Sequence, residues 1–373
     1  MTGRDRAIAL WQAGVDAVGG YESVARALKE NGGERPDRIL AVGKAAGAMT
    51  RAALDHYGHV PALVVTKDGH GEGLPDAVEL IESSHPVPDA RSLKGGRGLV
   101  EAVETMTTGS HLLLLVSGGA SALAEDLVEG KTLDDLAALN RQLLASGKDI
   151  GAINVERRRI SRVKGGGLLS RFGGASVRVL AISDVPGDDL MVIGSGIGAP
   201  PETPAFEVTT EIVASNAIAR AAAVAAAETE GLAVLCEEEA LHDDYEAVAA
   251  HWGPRIRDMA PGVIVLGGEP TVVLPDDPGE GGRNQALALA LAREIAGKTG
   301  ITIVVGGTDG SDGPTNAAGG VVDGTTWEPR AAEFLTQCDS GSYLAEKGAL
   351  LTTGPTGTNV MDLVIALKLP SQG

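Results

Sequence analysis

Short apolar runs recur along this chain, and most of them close on glycine, serine or an acid. They fall at 38–42, 62–66, 78–82, 111–116, 177–182, 232–235, 262–266, 301–305 and 349–352. Runs of that length, bounded by turn residues, predict buried strands. Between them, apolar side chains return at helical spacing: Ile8, Trp11, Val15 and Val18, then Val24 and Leu28, with Gly32 and Gly33 as a stop. A helix is predicted over 131–144, capped by Thr132 and carrying Asp134 and Asp135 in its first turn. Others are predicted at 208–230, 241–259, 286–296, within 325–336, and in a closing apolar stretch that runs to Leu367, with Asn359 and Asp362 at its start. Strands alternating with helices predict an α/β protein.

Composition adds to this picture. At 373 residues, two domains are expected. The proline-rich stretch 200–206 (PPETPAF) reads as a linker and divides the chain into 1–203 and 207–373. Hydrophobic residues make up 43% and aromatics 3%, so the core must rest on Ala, Val, Leu and Ile. The net charge of −19 argues against nucleic acid and against an anionic membrane, both of which need a basic surface. No apolar run reaches the roughly 18–20 residues of a membrane span. The first 20 residues lack the apolar core of a signal peptide, so a cytoplasmic protein is expected. Two distant cysteines, Cys236 and Cys338, make neither a disulfide framework nor a cysteine-rich zinc site.

The chemistry-bearing residues gather where strands end. Lys44 follows the run 38–42 at the start of a small-residue helix, a position suited to an anion. The segment 117–121 (SGGAS) follows the strongest strand, and its glycines suit a phosphate cradle. A nucleophilic serine is the rival, but the G-x-S-x-G elbow is absent. The only basic cluster is 154–167, where Lys164 before three glycines is the residue expected to face a ligand. His85 sits in a proline-fixed loop, read as structural. Asp184 ends the run 177–182. The G-x-G-x-x-A match at 194–199 runs into Pro200 and Pro201, so it cannot open a dinucleotide-binding helix. Arg283 precedes an Ala/Leu helix, and its guanidinium suits phosphate or carboxylate. The glycine-rich stretch 306–320 carries Asp309 and Asp312, which either bind magnesium or a proton or are solvated turn acids. Walker A is absent, because the two Gly-Lys-Thr triplets lack the upstream glycine.

Nine blocks, in order, resemble the glycerate 2-kinase family, whose C-terminal part is the MOFRL domain (here about 261–368). They are VGKAAGAM (42–49), SSHPVPDA (83–90), VSGGASAL (116–123), NVERRRISRVKGGGL (154–168), ISDVPGDDL (182–190), GGEPTV (267–272), GGRNQALALALA (281–292), GTDGSDGPTNAAGGVVD (307–323) and TGPTGTNVMDL (353–363). The resemblance implies two α/β domains, each with a mainly parallel sheet flanked by helices. The N-terminal one is expected to be the larger and Rossmann-like, and the active site to lie in the cleft between them. It implies phosphorylation of D-glycerate at its C2 hydroxyl by ATP with Mg2+, and Lys44, Asp184 and Arg283 as catalytic residues. Ser117, Gly118, Gly119, Ser121, Lys164 and Asn154 are assigned to the nucleotide, and Asp309, Asp312 and Glu269 to the metal. The partners expected are small molecules, with a homodimer left open. The chain departs from the family at Ala120, where a third glycine is usual, and at 194–198, where ASGPT is usual. The rival readings are a hydroxypyruvate reductase, a kinase for another short sugar acid, and a non-catalytic sensor.

Overall fold

The computed structural model describes residues 1–145 and 150–370, and side chains throughout except at 140, 143–145 and 150–154. The chain forms two compact units. The first is Gly19–Ser215; the second joins Met1–Val18 to Asn216–Gly373. Helix α1 (Gly3–Asp16) therefore belongs with the later part of the chain, and the division falls at 215/216 rather than at the proline-rich stretch.

The first unit runs α2 (Gly20–Glu30), β1 (Arg38–Val42), α3 (Ala46–Tyr57), β2 (Ala62–Lys67), β3 (Glu79–Ser83), α4 (Ala90–Glu104), β4 (His111–Val116), α5 (Ala120–Leu123), α6 (Leu133–Ala145), α7 (Ile150–Arg159), β5 (Ser176–Ile182) and β6 (Glu207–Ala214). Its six strands lie in the order β3-β2-β1-β4-β5-β6 and all run parallel. Leu112 to Val116 of β4 are buried, as expected for a strand covered on both faces. Strand β6 replaces the predicted start of a helix at 208. Val208, Thr209, Thr210, Ile212 and Val213 are β-branched and fit a strand, so the alanine-rich helix begins only at Asn216.

The second unit continues with α8 (Asn216–Thr229), β7 (Val234–Glu239), α9 (Tyr245–Arg257), β8 (Gly262–Gly268), α10 (Arg283–Glu294), β9 (Ile301–Gly307), β10 (Gly319–Asp323), α11 (Ala331–Thr336), α12 (Ser340–Glu346), β11 (Leu350–Leu351) and β12 (Asp362–Lys368). Its sheet has the order β11-β10-β9-β12-β8-β7. Here β7, β8, β9 and β11 share one direction, while β10 and β12 run against them. The closing segment predicted as a helix is strand β12, paired along its length with β8 on one side and β9 on the other. Seven residues make under two helical turns but a full strand, and Val364 and Ile365 favour the sheet. Helix α1 packs on this sheet: Trp11 is fully buried and donates from Nε1 to the Gly306 carbonyl at 3.3 Å.

Candidate active site

In the first unit the strand order reverses between β1 and β4, and ligands of open α/β sheets bind beyond the carboxyl ends of the strands at such a reversal. Two of the predicted segments meet there. The Ser117 amide donates to the Val42 carbonyl (3.0 Å), the Lys44 amide to the Gly118 carbonyl (2.9 Å), and the Ala45 amide to Ser117 Oγ (3.0 Å). The approach is so close that a Cβ on Gly43 (φ +125°) would lie 2.2 Å from Ser117 Oγ. Gly119 (φ +84°) serves the same end. A Cβ there would stand 3.2 Å from the His85 ring and 3.3 Å from Lys44 Cγ, so these two side chains converge on bare backbone. Lys44 is half-buried, and its carbonyl lies 3.1 Å from His70 Nδ1.

Beside this turn a cleft of about 150 Å³ is lined by His85, Pro88, Gly119, Ser121, Arg157 and Lys164. Burial holds the Arg157 pKa below its ordinary value against the pull of the Glu125 carboxylate. The cleft is large enough for a phosphate group. Helix α5 is a single turn, so its dipole is weak and any anion contact must come from individual amides and side chains. Ser121 Oγ meets Ser195 Oγ at 2.8 Å. Ala120 is fully buried, and a Cβ on Gly194 would lie 2.9 Å from its methyl. The departure at Ala120 is therefore accommodated in the core and does not narrow the cleft.

Lys164 borders the cleft, but its ammonium is held 2.6 Å from Glu125 Oε2, with both side chains essentially inaccessible. Glu125 Oε1 accepts from Ser161 Oγ and from the Asp126 amide. The sequence expectation of a lysine facing a ligand thus meets a buried ion pair. Asp184 is half-buried directly after β5, beside Ser183, whose amide donates to the Ala214 carbonyl (2.8 Å). The side chain of Asn154 lies outside the described residues.

The second unit builds its own polar cluster at the ends of β8 and β9, the start of β12 and the first turn of α10. Arg283 opens α10 and donates from Nε to Asp362 Oδ2 (2.8 Å), from Nη2 to Asp362 Oδ1 (3.3 Å), and from Nη1 to Glu269. Burial works to lower the Arg283 pKa, but the Asp362 and Glu269 carboxylates outweigh it and hold it above the ordinary value. Asp362 is fully buried and also accepts from Asn284 Nδ2 (2.9 Å). Burial raises its pKa, and the Arg283 charge opposes the rise.

The metal candidates are otherwise engaged. Both oxygens of Asp312 cap α10, accepting from the amides of Asn284 (3.1 Å) and Gln285 (2.8 Å) and from Gln285 Nε2 (3.0 Å). Burial pushes the Asp312 pKa up to about 6 despite those amides. Asp309 shapes its own turn by accepting from the amide and hydroxyl of Ser311, both at 2.9 Å. Glu269 holds Arg283. Among the described residues no group of three or more His, Cys, Asp or Glu is placed to hold a metal ion. Glu125 and Ser195 were missed from sequence, and Asp362 was taken for a helix start. An acid directly behind the apolar Ala122–Leu123–Ala124 was the only hint of Glu125.

Two family models cover most of the chain: "Domain of unknown function (DUF4147)" at residues 6–229 and "MOFRL family" at 262–362. A D-glycerate 2-kinase of Thermotoga maritima is 37% identical over 89% of this chain and 91% of its own length. This chain belongs to the glycerate 2-kinase family. Another family relative, named putative hydroxypyruvate reductase, from Agrobacterium vitis, is 36% identical over 87% of this chain and 85% of its own length. The crystal structure of glycerate kinase from Thermotoga maritima superposes with a TM-score of 0.89 at 34% identity, covering 98% of this chain and 99% of that one. Among the described residues of this family member no helix is long and apolar enough to cross a membrane.

Proposed function

We propose that the protein is a glycerate 2-kinase that transfers the γ-phosphoryl group of ATP to the C2 hydroxyl of D-glycerate. The observation that supports this reading is the junction of the Lys44 and 117–119 turns at the strand-order reversal, where the stem of the Lys44 side chain lies against bare backbone at Gly119. Phosphoryl transfer requires in-line placement and charge compensation, with little covalent chemistry from the protein. As the C2 oxygen bonds to phosphorus, the bond to the ADP oxygen breaks and the hydroxyl proton leaves. Asp184 takes that proton or orients the hydroxyl that loses it. Lys44 neutralises charge on the transferred group. Arg283, carried into the scheme by the family resemblance, binds carboxylate or phosphoryl oxygens through its planar fork.

Ser117 fixes the turn through its hydroxyl, leaving Gly118, Gly119 and Ser121 to border the nucleotide's phosphates, with Arg157 also lining the cleft. Lys164 lines it too, held by Glu125. Magnesium accompanies the phosphates, as it does for many nucleotides, with waters and at most one or two carboxylates. Asp312 does not fit as its ligand because it is 3% exposed and spends its carboxylate capping α10, and no step is assigned to a metal held by the protein. An ATP requirement suits the cytoplasmic location expected from the sequence. The hydroxypyruvate reductase reading finds no dinucleotide-binding helix behind the G-x-G-x-x-A match at 194–199. Residues 193–195 form a short 3-10 turn, and the Ser195 and Gly196 carbonyls accept from the amides of Gly165 and Gly166.

The test is an assay of D-glycerate with ATP, with the product identified by phosphorus NMR. The expected product is 2-phosphoglycerate. A 3-phosphate would overturn the assignment of the reacting hydroxyl, and NADH oxidation by hydroxypyruvate without kinase turnover would replace the reading altogether.

A further inference from the structure

Arg283 presents two edges to two very different carboxylates. Its inner edge, Nε and Nη2, lies against both oxygens of Asp362. Asp362 begins β12, is paired through the strand ladder to Gly268 and Gly307, and is 1% exposed. A carboxylate fixed in the middle strand of a sheet cannot follow a moving partner. The outer edge is contacted at Nη1 by Glu269, which follows Gly268 (φ +130°) beyond the end of β8 and whose side chain is 44% exposed. A guanidinium carries five N–H groups in a planar fork, so the inner clamp leaves the outer Nη1/Nη2 edge able to grip a second carboxylate or phosphate with two bonds.

Resting on the glycerate 2-kinase reading, we propose that Asp362 is a positioning residue that clamps the inner edge of Arg283, and that Glu269 is an internal stand-in for substrate on the outer edge, displaced when the anionic substrate arrives. Asp362 sets where the outer edge points. Glu269 keeps that edge neutralised between turnovers and competes with the substrate for it. Its exposed, loop-borne position lets it leave; the buried, strand-borne position of Asp362 does not.

The experiment uses the full chain and the variants Asp362→Asn, Glu269→Gln, Arg283→Ala and the double variant Asp362→Asn/Arg283→Ala. Steady-state kinetics with D-glycerate and ATP are read beside the rise in Tm that D-glycerate alone induces. Asp362→Asn is expected to lower kcat/KM by about 10²-fold, the scale of misplacing a catalytic group. In the Arg283→Ala background it is expected to add nothing to that loss. Glu269→Gln is expected to lower KM for D-glycerate by about threefold and to enlarge the glycerate-induced Tm rise, since less of the arginine is pre-occupied. Additive losses for Asp362→Asn and Arg283→Ala would overturn the positioning role, whatever the variants do to folding. A higher Mg2+ requirement in Glu269→Gln, with KM for glycerate unchanged, would give Glu269 to the metal and overturn the stand-in role. If wild type gives neither product nor a glycerate-induced Tm rise, the failure lies with the glycerate reading itself, and the inference falls with it.

Discussion

Both units bury a carboxylate against a cation, yet the two pairs behave as opposites. In the first unit Glu125 and Lys164 enclose each other: side-chain exposures are 0% and 2%, and the ammonium meets one partner at 2.6 Å. In the second, Asp362 is as deeply buried as Glu125, but Arg283 keeps 34% of its side chain exposed. A lysine is a point charge, so a close buried carboxylate consumes its whole electrostatic reach. An arginine is a two-edged fork, and a carboxylate on one edge orients the other. The same kind of pair therefore encloses the ammonium at Lys164 and leaves a second, part-exposed edge at Arg283, the edge proposed to meet substrate.

The largest expected effect breaks that comparison on the arginine side. Arg283→Ala should lower kcat/KM by about 10³-fold or more, the cost of losing a charged group aimed at the reacting centre. Arg283→Lys keeps the charge that balances Asp362 but loses the fork. Urea denaturation should therefore separate the two variants in stability, while kinetics should find both impaired. Near-normal turnover in either would remove Arg283 from the mechanism.

Next comes the lysine side. Glu125→Ala strands the Lys164 ammonium in a buried site, and breaking such a pair costs about 3–5 kcal/mol. Chemical denaturation should show that loss even without ligand. A stability within experimental error of wild type would mean that water reaches Lys164 and that its ammonium is open to ligand after all.

The smallest effect sharpens the role of Asp312, a carboxylate buried without a cation of its own. Its folded pKa of about 6 lies above the unfolded carboxylate value. A raised folded pKa contributes stability that is complete below the unfolded pKa and is lost as pH rises through the folded one. The contribution is on the order of 3 kcal/mol. Compared with Asp312→Asn, wild type should therefore gain stability as pH falls from about 6 to about 4. A difference that stays flat over that range would show that the caps on α10 keep Asp312 ionised throughout.

Much of the frame was legible because its signals are local. The runs at β1, β4, β5, β8 and β9 are short, apolar and closed by turn residues, and Lys44 and the 117–121 segment could be placed at strand ends from those runs alone. What could not be read depends on distant partners. The run in β12 is apolar on both faces, so periodicity cannot tell strand from helix until β8 and β9 are seen beside it. The charge of Asp312 was visible, but the amides of Asn284 and Gln285 that occupy it come from another element. Likewise the apolar spacing of α1 announced a helix but could not say which sheet it would cover.

That assignment of α1 has a consequence for synthesis. Trp11 leaves the ribosome well before its partner: the carbonyl it binds lies 295 positions downstream, and β12 follows later still. At about 5–20 residues per second, the helix waits on the order of tens of seconds for its partner. The Gly19–Ser215 unit, by contrast, can close its sheet as soon as β6 emerges. Nascent chains of this protein thus carry a finished domain flanked by an unshielded tryptophan helix, and that interval is when a chaperone would have most to hold.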